Sequence, residues 1–167
     1  MKSNTKKIVR LGLVSAMYAA LTIALGAISY GPIQFRIAEV MTLLPLIGKE
    51  YIIALTIGCF LSNIVGGFGL PDIIFGTLAT FISVYLVYLT GKTMKGKRGY
   101  ILIASLWPTI VNAIIIGGVV LHLFMGLPLI LSVLQVGFGQ FVVITIIGVP
   151  LFKFFNNKYA KLLKDIS

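Results

Sequence analysis

Long apolar runs constrain this chain more than any other feature. Six can be marked, at roughly 8–29, 37–48, 50–67, 71–91, 100–124 and 128–154. A helix needs about 20 apolar residues to cross the hydrocarbon of a bilayer. The second run is too short for that, because twelve residues of α-helix reach only about 18 Å. The chain is 59% hydrophobic and 11% charged, against about 25% charged in an average soluble domain. A soluble fold of this size cannot hide that much apolar surface. The expectation is an all-α polytopic membrane protein, with residues 1–167 forming a single membrane domain.

The cations predict how the runs are threaded. They gather as Lys2, Lys6, Lys7 and Arg10, then Lys92, Lys95, Lys97 and Arg98, then Lys153, Lys158, Lys161 and Lys164. The positive-inside rule puts all three clusters in the cytoplasm. An even number of crossings must then separate the first two, so every run between them crosses, the short one included. Six transmembrane helices with both termini cytoplasmic follow. Lys49 also falls inside, and Arg36 is the one cation left outside. The net charge of +10 is therefore a topology signal, not a nucleic-acid footprint. The apolar run after the basic start is longer than the core of a cleaved signal peptide, about 7–15 residues, and reads as a retained first span.

This threading collects polar residues in the outer half. Gly31-Pro32 marks a turn, and Gln34, Arg36 and Glu39 follow it closely. Asn63 ends the third run, Asp72 begins the fourth, His122 closes the fifth and Gln135 lies early in the sixth. Ionisable and polar groups are costly at membrane depth and mark functional sites. Drawn from several runs, they predict a binding pocket that opens outward. Simpler roles stand beside that one. Arg36 and Glu39, three apart, suit a local pair. Asp72 after Pro71 suits a helix N-terminus, and Asn63 suits a helix end. His122 suits the membrane interface, and Asn112 and Gln140 suit hydrogen bonds between helices.

On the first run Ala16, Ala20 and Ala24 repeat a small residue every fourth position, a pattern that lets helix backbones approach closely in lipid. No phosphate-binding loop is present. One His and one Cys, Cys59, make no metal site, and Cys59 reads as a small buried hydrophobe. There is no catalytic set, no cofactor motif and no sign of the paired halves of secondary transporters. A small membrane protein with a pocket and no engine suggests a binding subunit that borrows one.

The stretch Gly31-Pro32-Ile33-Gln34-Phe35-Arg36-Ile37-Ala38-Glu39, running into Leu43-Leu44-Pro45, resembles the signature of the QueT family. So do Gly58-Cys59-Phe60-Leu61-Ser62-Asn63 and Asp72-Ile73-Ile74-Phe75-Gly76-Thr77-Leu78-Ala79-Thr80. That family comprises substrate-binding S components of energy-coupling factor (ECF) transporters, assigned to queuosine precursors. The resemblance implies a six-helix S-component bundle in a bacterial plasma membrane. It implies a 7-deazaguanine substrate, the 7-cyano or 7-aminomethyl base or queuine, and as partners a membrane T component and two cytoplasmic ATPases. The Ala16, Ala20 and Ala24 face would dock on the T component, and the loaded S component would topple in the membrane. A guanine-like edge offers N–H donors and a carbonyl acceptor, which suits Gln34, Arg36, Glu39, Asn63, Asp72 and Gln135. Phe35, Phe68, Tyr30 or Trp107 could stack on the bicyclic ring. The competing functions are an S component for another vitamin or nucleobase and a stand-alone small membrane carrier or enzyme.

Overall fold

The structure, a computed structural model, describes residues 2–66 and 69–158. Phe68, Lys161 and Lys164 lie outside the described residues. Seven helices can be traced, and no strand occurs among the described residues. They are α1 (Lys2–Ala24), α2 (Gly26–Ser29), α3 (Ile37–Leu46), α4 (Tyr51–Val65), α5 (Asp72–Met94), α6 (Tyr100–Phe124) and α7 (Leu129–Lys158). Four of them, α1, α5, α6 and α7, are long and apolar enough to cross a bilayer. The architecture fits a polytopic membrane protein. Large apolar side chains such as Ile8, Leu13, Ile53, Leu70, Ile130 and Leu134 cover its outer surface, as expected where the surrounding solvent is lipid.

The bundle has two chemically distinct ends. At one, Glu50 at the start of α4 meets Arg10 and Lys7 of α1 at 3.5 and 3.9 Å. Lys92 and Lys95 line a cleft there with Gly48, and Phe152 of α7 packs with Leu46 and Ile101. At the other end Arg36 reaches Asp72, the first residue of α5, and Phe75 meets Phe124 at the end of α6. Each of α1, α3, α4, α5, α6 and α7 runs from one end to the other, alternating in direction. The basic clusters, as far as they are described, thus share an end, and Arg36 stands apart from them.

The short second run spans the bundle because of how it is wound. Ten of its twelve residues, Ile37–Leu46, form a 3₁₀ helix. At about 2.0 Å per residue that covers about 20 Å, against about 15 Å for α geometry. Arg36 lies at its start beside Asp72, and Leu46 at its end lies against Gly91. Hydropathy located this run without revealing its tighter winding.

Packing turns one face of α1 inward. Ser15, Tyr18, Ala19 and Thr22 recur at helical spacing and are buried. Ser15 Oγ donates to the Ala54 carbonyl at 2.6 Å. A side chain at Gly58 would meet the Ser15 carbonyl at 2.8 Å, so α1 and α4 touch backbone to backbone there. Ala16, Ala20 and Ala24 lie on the opposite, exposed face. The small residue that lets α1 pack inside the bundle is therefore Gly58, and the alanine stripe stays on the surface.

Candidate functional site

The site is built on the loop from Tyr30 to Arg36. Gly31 accepts from the Gln34 amide at 3.0 Å, and the Gln34 carbonyl accepts from the Arg36 amide at 2.8 Å. These tight turns put Gln34 at φ +54°, the one positive φ outside glycine among the described residues. Such a conformation costs about 1–3 kcal/mol and persists only where surroundings impose it. They do so here: the Ile33 carbonyl presses onto Gly139 of α7, where any side chain would overlap it. Gln140, next along α7, donates to the Gln34 carbonyl at 3.5 Å and accepts from Asn112 of α6 at 3.4 Å.

Arg36 does not pair with Glu39, as their spacing suggested. Its carbonyl accepts from the Glu39 amide at 2.9 Å, but its backbone is still extended, at φ −82° and ψ 94°, so its side chain leaves the line of the helix. Instead Nη2 donates to Asp72 Oδ2 at 3.1 Å and Nε donates to the Ser29 carbonyl at 3.4 Å. The guanidinium lies 5.6 Å from the Tyr30 ring centre, and the Tyr30 hydroxyl donates to the Ser62 carbonyl at 2.6 Å. Gly66 leaves room for that ring.

Glu39 is held by a residue the sequence did not point to. The Tyr18 hydroxyl on α1 donates to its Oε1. Tyr18 sits on an apolar, alanine-rich helix, and only the α1–α3 contact reveals its role. Asn63 near the end of α4 donates to the Asp72 carbonyl at 3.1 Å and to Cys59 Sγ at 3.4 Å. Thr80 of α5 donates to the same sulfur at 3.1 Å. Cys59 is thus buried as expected, but it also donates to the Gly76 carbonyl at 3.6 Å, so it is a member of a polar network rather than a mere hydrophobe. Gly76 is needed here too: a side chain would stand 2.6 Å from Asn63 Nδ2 and 3.0 Å from Asp72 Oδ1.

Four polar atoms of this network are buried without a partner: Gln34 Nε2, Glu39 Oε2, Asn63 Oδ1 and Asp72 Oδ1. Each unpaired group costs about 1–3 kcal/mol. Native proteins carry few of them, and each calls for an explanation. Here three acceptors and one donor occur on residues gathered around Arg36, an arrangement that could take a polar ligand. Ser29 Oγ, Thr77 Oγ1 and Ser83 Oγ, also unpaired, lie on the neighbouring elements.

The structure thus brings together Gln34, Arg36, Glu39, Asn63 and Asp72, and adds Tyr18 and Gln140. Gln135 is half-buried and makes no side-chain hydrogen bond among the described residues. Phe35 is half-buried, with its ring edge-on to Phe138 at 6.3 Å. Trp107 donates its indole N–H to Thr90 at 2.9 Å and packs with the Leu46 cluster toward the basic end, away from the Arg36–Asp72 pair. His122 turns Nδ1 to the Leu127 carbonyl at 2.7 Å, bracing the loop between α6 and α7. A groove of about 490 Å³ between α1, α3 and α7 is lined by Met17, Leu21, Val40, Leu44, Leu151 and Phe155 among others. Its walls are almost wholly apolar, so it lacks the convergent polar groups that orient a small-molecule ligand.

Comparison with known proteins agrees with the motif resemblance. A family model described as QueT transporter matches residues 8–157. The protein named Queuosine precursor transporter QueT, from Lactococcus lactis subsp. cremoris (strain MG1363), is 46% identical over 96 residues. That match spans 56% of this chain and 56% of the relative. No solved structure matches the chain.

Proposed function

Because this chain belongs to the QueT transporter family, we propose that it is the substrate-binding S component of an ECF importer for a queuosine precursor. The substrate is a 7-deazaguanine. The observation that carries this reading is the set of unpaired atoms around Arg36. Glu39 Oε2, Asn63 Oδ1 and Asp72 Oδ1 accept, and Gln34 Nε2 donates. A guanine edge presents adjacent N–H donors beside a carbonyl acceptor, so it complements both kinds of atom. Each carboxylate has one oxygen already engaged, by Tyr18 or by Arg36. The edge is then read by Asp72, Asn63 and Gln34, each giving one bond, which leaves Glu39 Oε2 for the group that the base carries.

The rest of the assignment follows from the two ends of the bundle. The basic end faces the cytoplasm by the positive-inside rule, so the polar cluster opens outward and both termini lie inside. On this reading α3 and α4 cross the plasma membrane with the four long helices, making six spans. Energy comes from a separate T component and two ATPases. The exposed Gly12, Ala16, Ala20 and Ala24 face of α1 is the surface for the T component, since small residues permit close backbone approach.

Thermal unfolding of the purified chain tests the substrate assignment. A ligand at about 100 times its Kd stabilises the native state by about 2.7 kcal/mol. 7-Deazaguanines should raise the midpoint, and other vitamins and nucleobases should not. Stabilisation by an unrelated vitamin alone would favour an S component of different specificity. The docking face makes a separate prediction. Ala16→Leu with Ala20→Leu should abolish co-purification with the T component and leave ligand stabilisation intact. Retained assembly would remove this face from the interface.

A further inference from the structure

The polar cluster is unbalanced in charge. Arg36 is its cation, and Asp72 and Glu39 are its carboxylates, with relative exposures of 3%, 0% and 1%. The guanidinium is committed to Asp72 at 3.1 Å. The other ion pairs among the described residues, from Lys7 and Arg10, both go to Glu50 at the basic end. Glu39 lies within electrostatic reach of Arg36 but makes no ion pair with it: Oε1 takes the neutral Tyr18 hydroxyl and Oε2 is unpaired. A buried charge that lacks a counter-charge is strongly unfavourable, and buried carboxylates are normally paired.

Resting on the proposed function above, we infer that Glu39 supplies the counter-charge for an ammonium group on the ligand. The site therefore selects a deazaguanine bearing a cationic side chain over its neutral nitrile counterpart. The two bases share one guanine edge, so that edge does not separate them. What separates them is the substituent on the five-membered ring, an aminomethyl cation in one and a cyano group in the other. A bound ammonium brings the described charges of the cluster to balance and gives Glu39 Oε2 a charge-assisted bond. The nitrile has no proton to donate and leaves Oε2 unpaired. Tyr18 acts as a positioning residue, because its hydroxyl fixes which carboxylate oxygen is free.

The test is titration of the parent protein and of Glu39→Gln with 7-aminomethyl- and 7-cyano-7-deazaguanine at pH 7. The parent should prefer the aminomethyl base by about 10- to 100-fold, the range of a charge-assisted bond. Glu39→Gln should lose that factor for the aminomethyl base and change the cyano base by less than about threefold. Glu39→Asp, which keeps the charge, should retain part of the preference. Equal binding of the two bases by the parent overturns the inference without any substitution, so it stays testable if Glu39→Gln fails to fold. Equal weakening of both bases by Glu39→Gln also overturns it, because Glu39 would then read the shared edge. In either case the deazaguanine assignment stands. If the parent binds neither base, that assignment falls and the inference falls with it.

Discussion

Arg36→Met should destabilise the folded protein by about 3–5 kcal/mol, the cost of removing one partner from a buried ion pair. Asp72 is wholly buried, and its Oδ2 takes its bond from Arg36 at 3.1 Å. Methionine keeps much of the length of the side chain and withdraws the charge. It also frees the Ser29 carbonyl and removes the contact over the Tyr30 ring. The carboxylate left behind cannot reach water without opening the end of the bundle. The double variant Arg36→Met with Asp72→Asn should recover much of the loss, because replacing both charges leaves none stranded. Unfolding of purified single and double variants in the same detergent gives the coupling energy of the pair. Simple additivity of the single losses would show that the two side chains do not act together.

Gly139→Ala should weaken ligand binding by about 10- to 100-fold while the helices stay formed. The added methyl would overlap the Ile33 carbonyl, and a Cβ fixed to its Cα and a backbone carbonyl cannot swing aside. Overpacking of this kind costs about 1–3 kcal/mol. The loop gives most easily, which moves Gln34 off Gln140 and away from the cluster. Gly137 on the same helix is the control. A side chain there would meet only the Ala113 methyl, at 3.4 Å, an ordinary contact. Titration of both variants with a 7-deazaguanine should show a large effect at 139 and little at 137. Similar effects at the two positions would mean that the loop is not seated on α7 as described.

Both expectations depend on contacts that hydropathy could not reveal. The runs 71–91, 100–124 and 128–154 match α5, α6 and α7 closely, because the length of an apolar run largely sets the length of its helix. The polar stretch after Gly31-Pro32 was legible as a site for a related reason, since such residues are rare between apolar runs. Partnerships were not legible. The spacing of Arg36 and Glu39 presumes helix at both, but the helix begins only at Ile37, so Arg36 turns to Asp72 instead. Tyr18 looked like one more residue of an apolar span until α3 was seen packed against it. Gln135 and Gln140 are five residues apart, about 140° around a helix at 3.6 residues per turn. Sequence shows two amides on one helix, and tertiary packing decides that Gln140 is the one facing the Gln34 loop.

On the proposed function, the polar cluster between α3, α4 and α5 holds a 7-deazaguanine. Mass spectrometry of the small molecule released from the purified, unwashed protein tests it most directly. A 7-deazaguanine bearing an amine should be present in the parent and lost or strongly depleted from Arg36→Met and Glu39→Gln. Release of a different vitamin or nucleobase, retained undiminished by both variants, would contradict it.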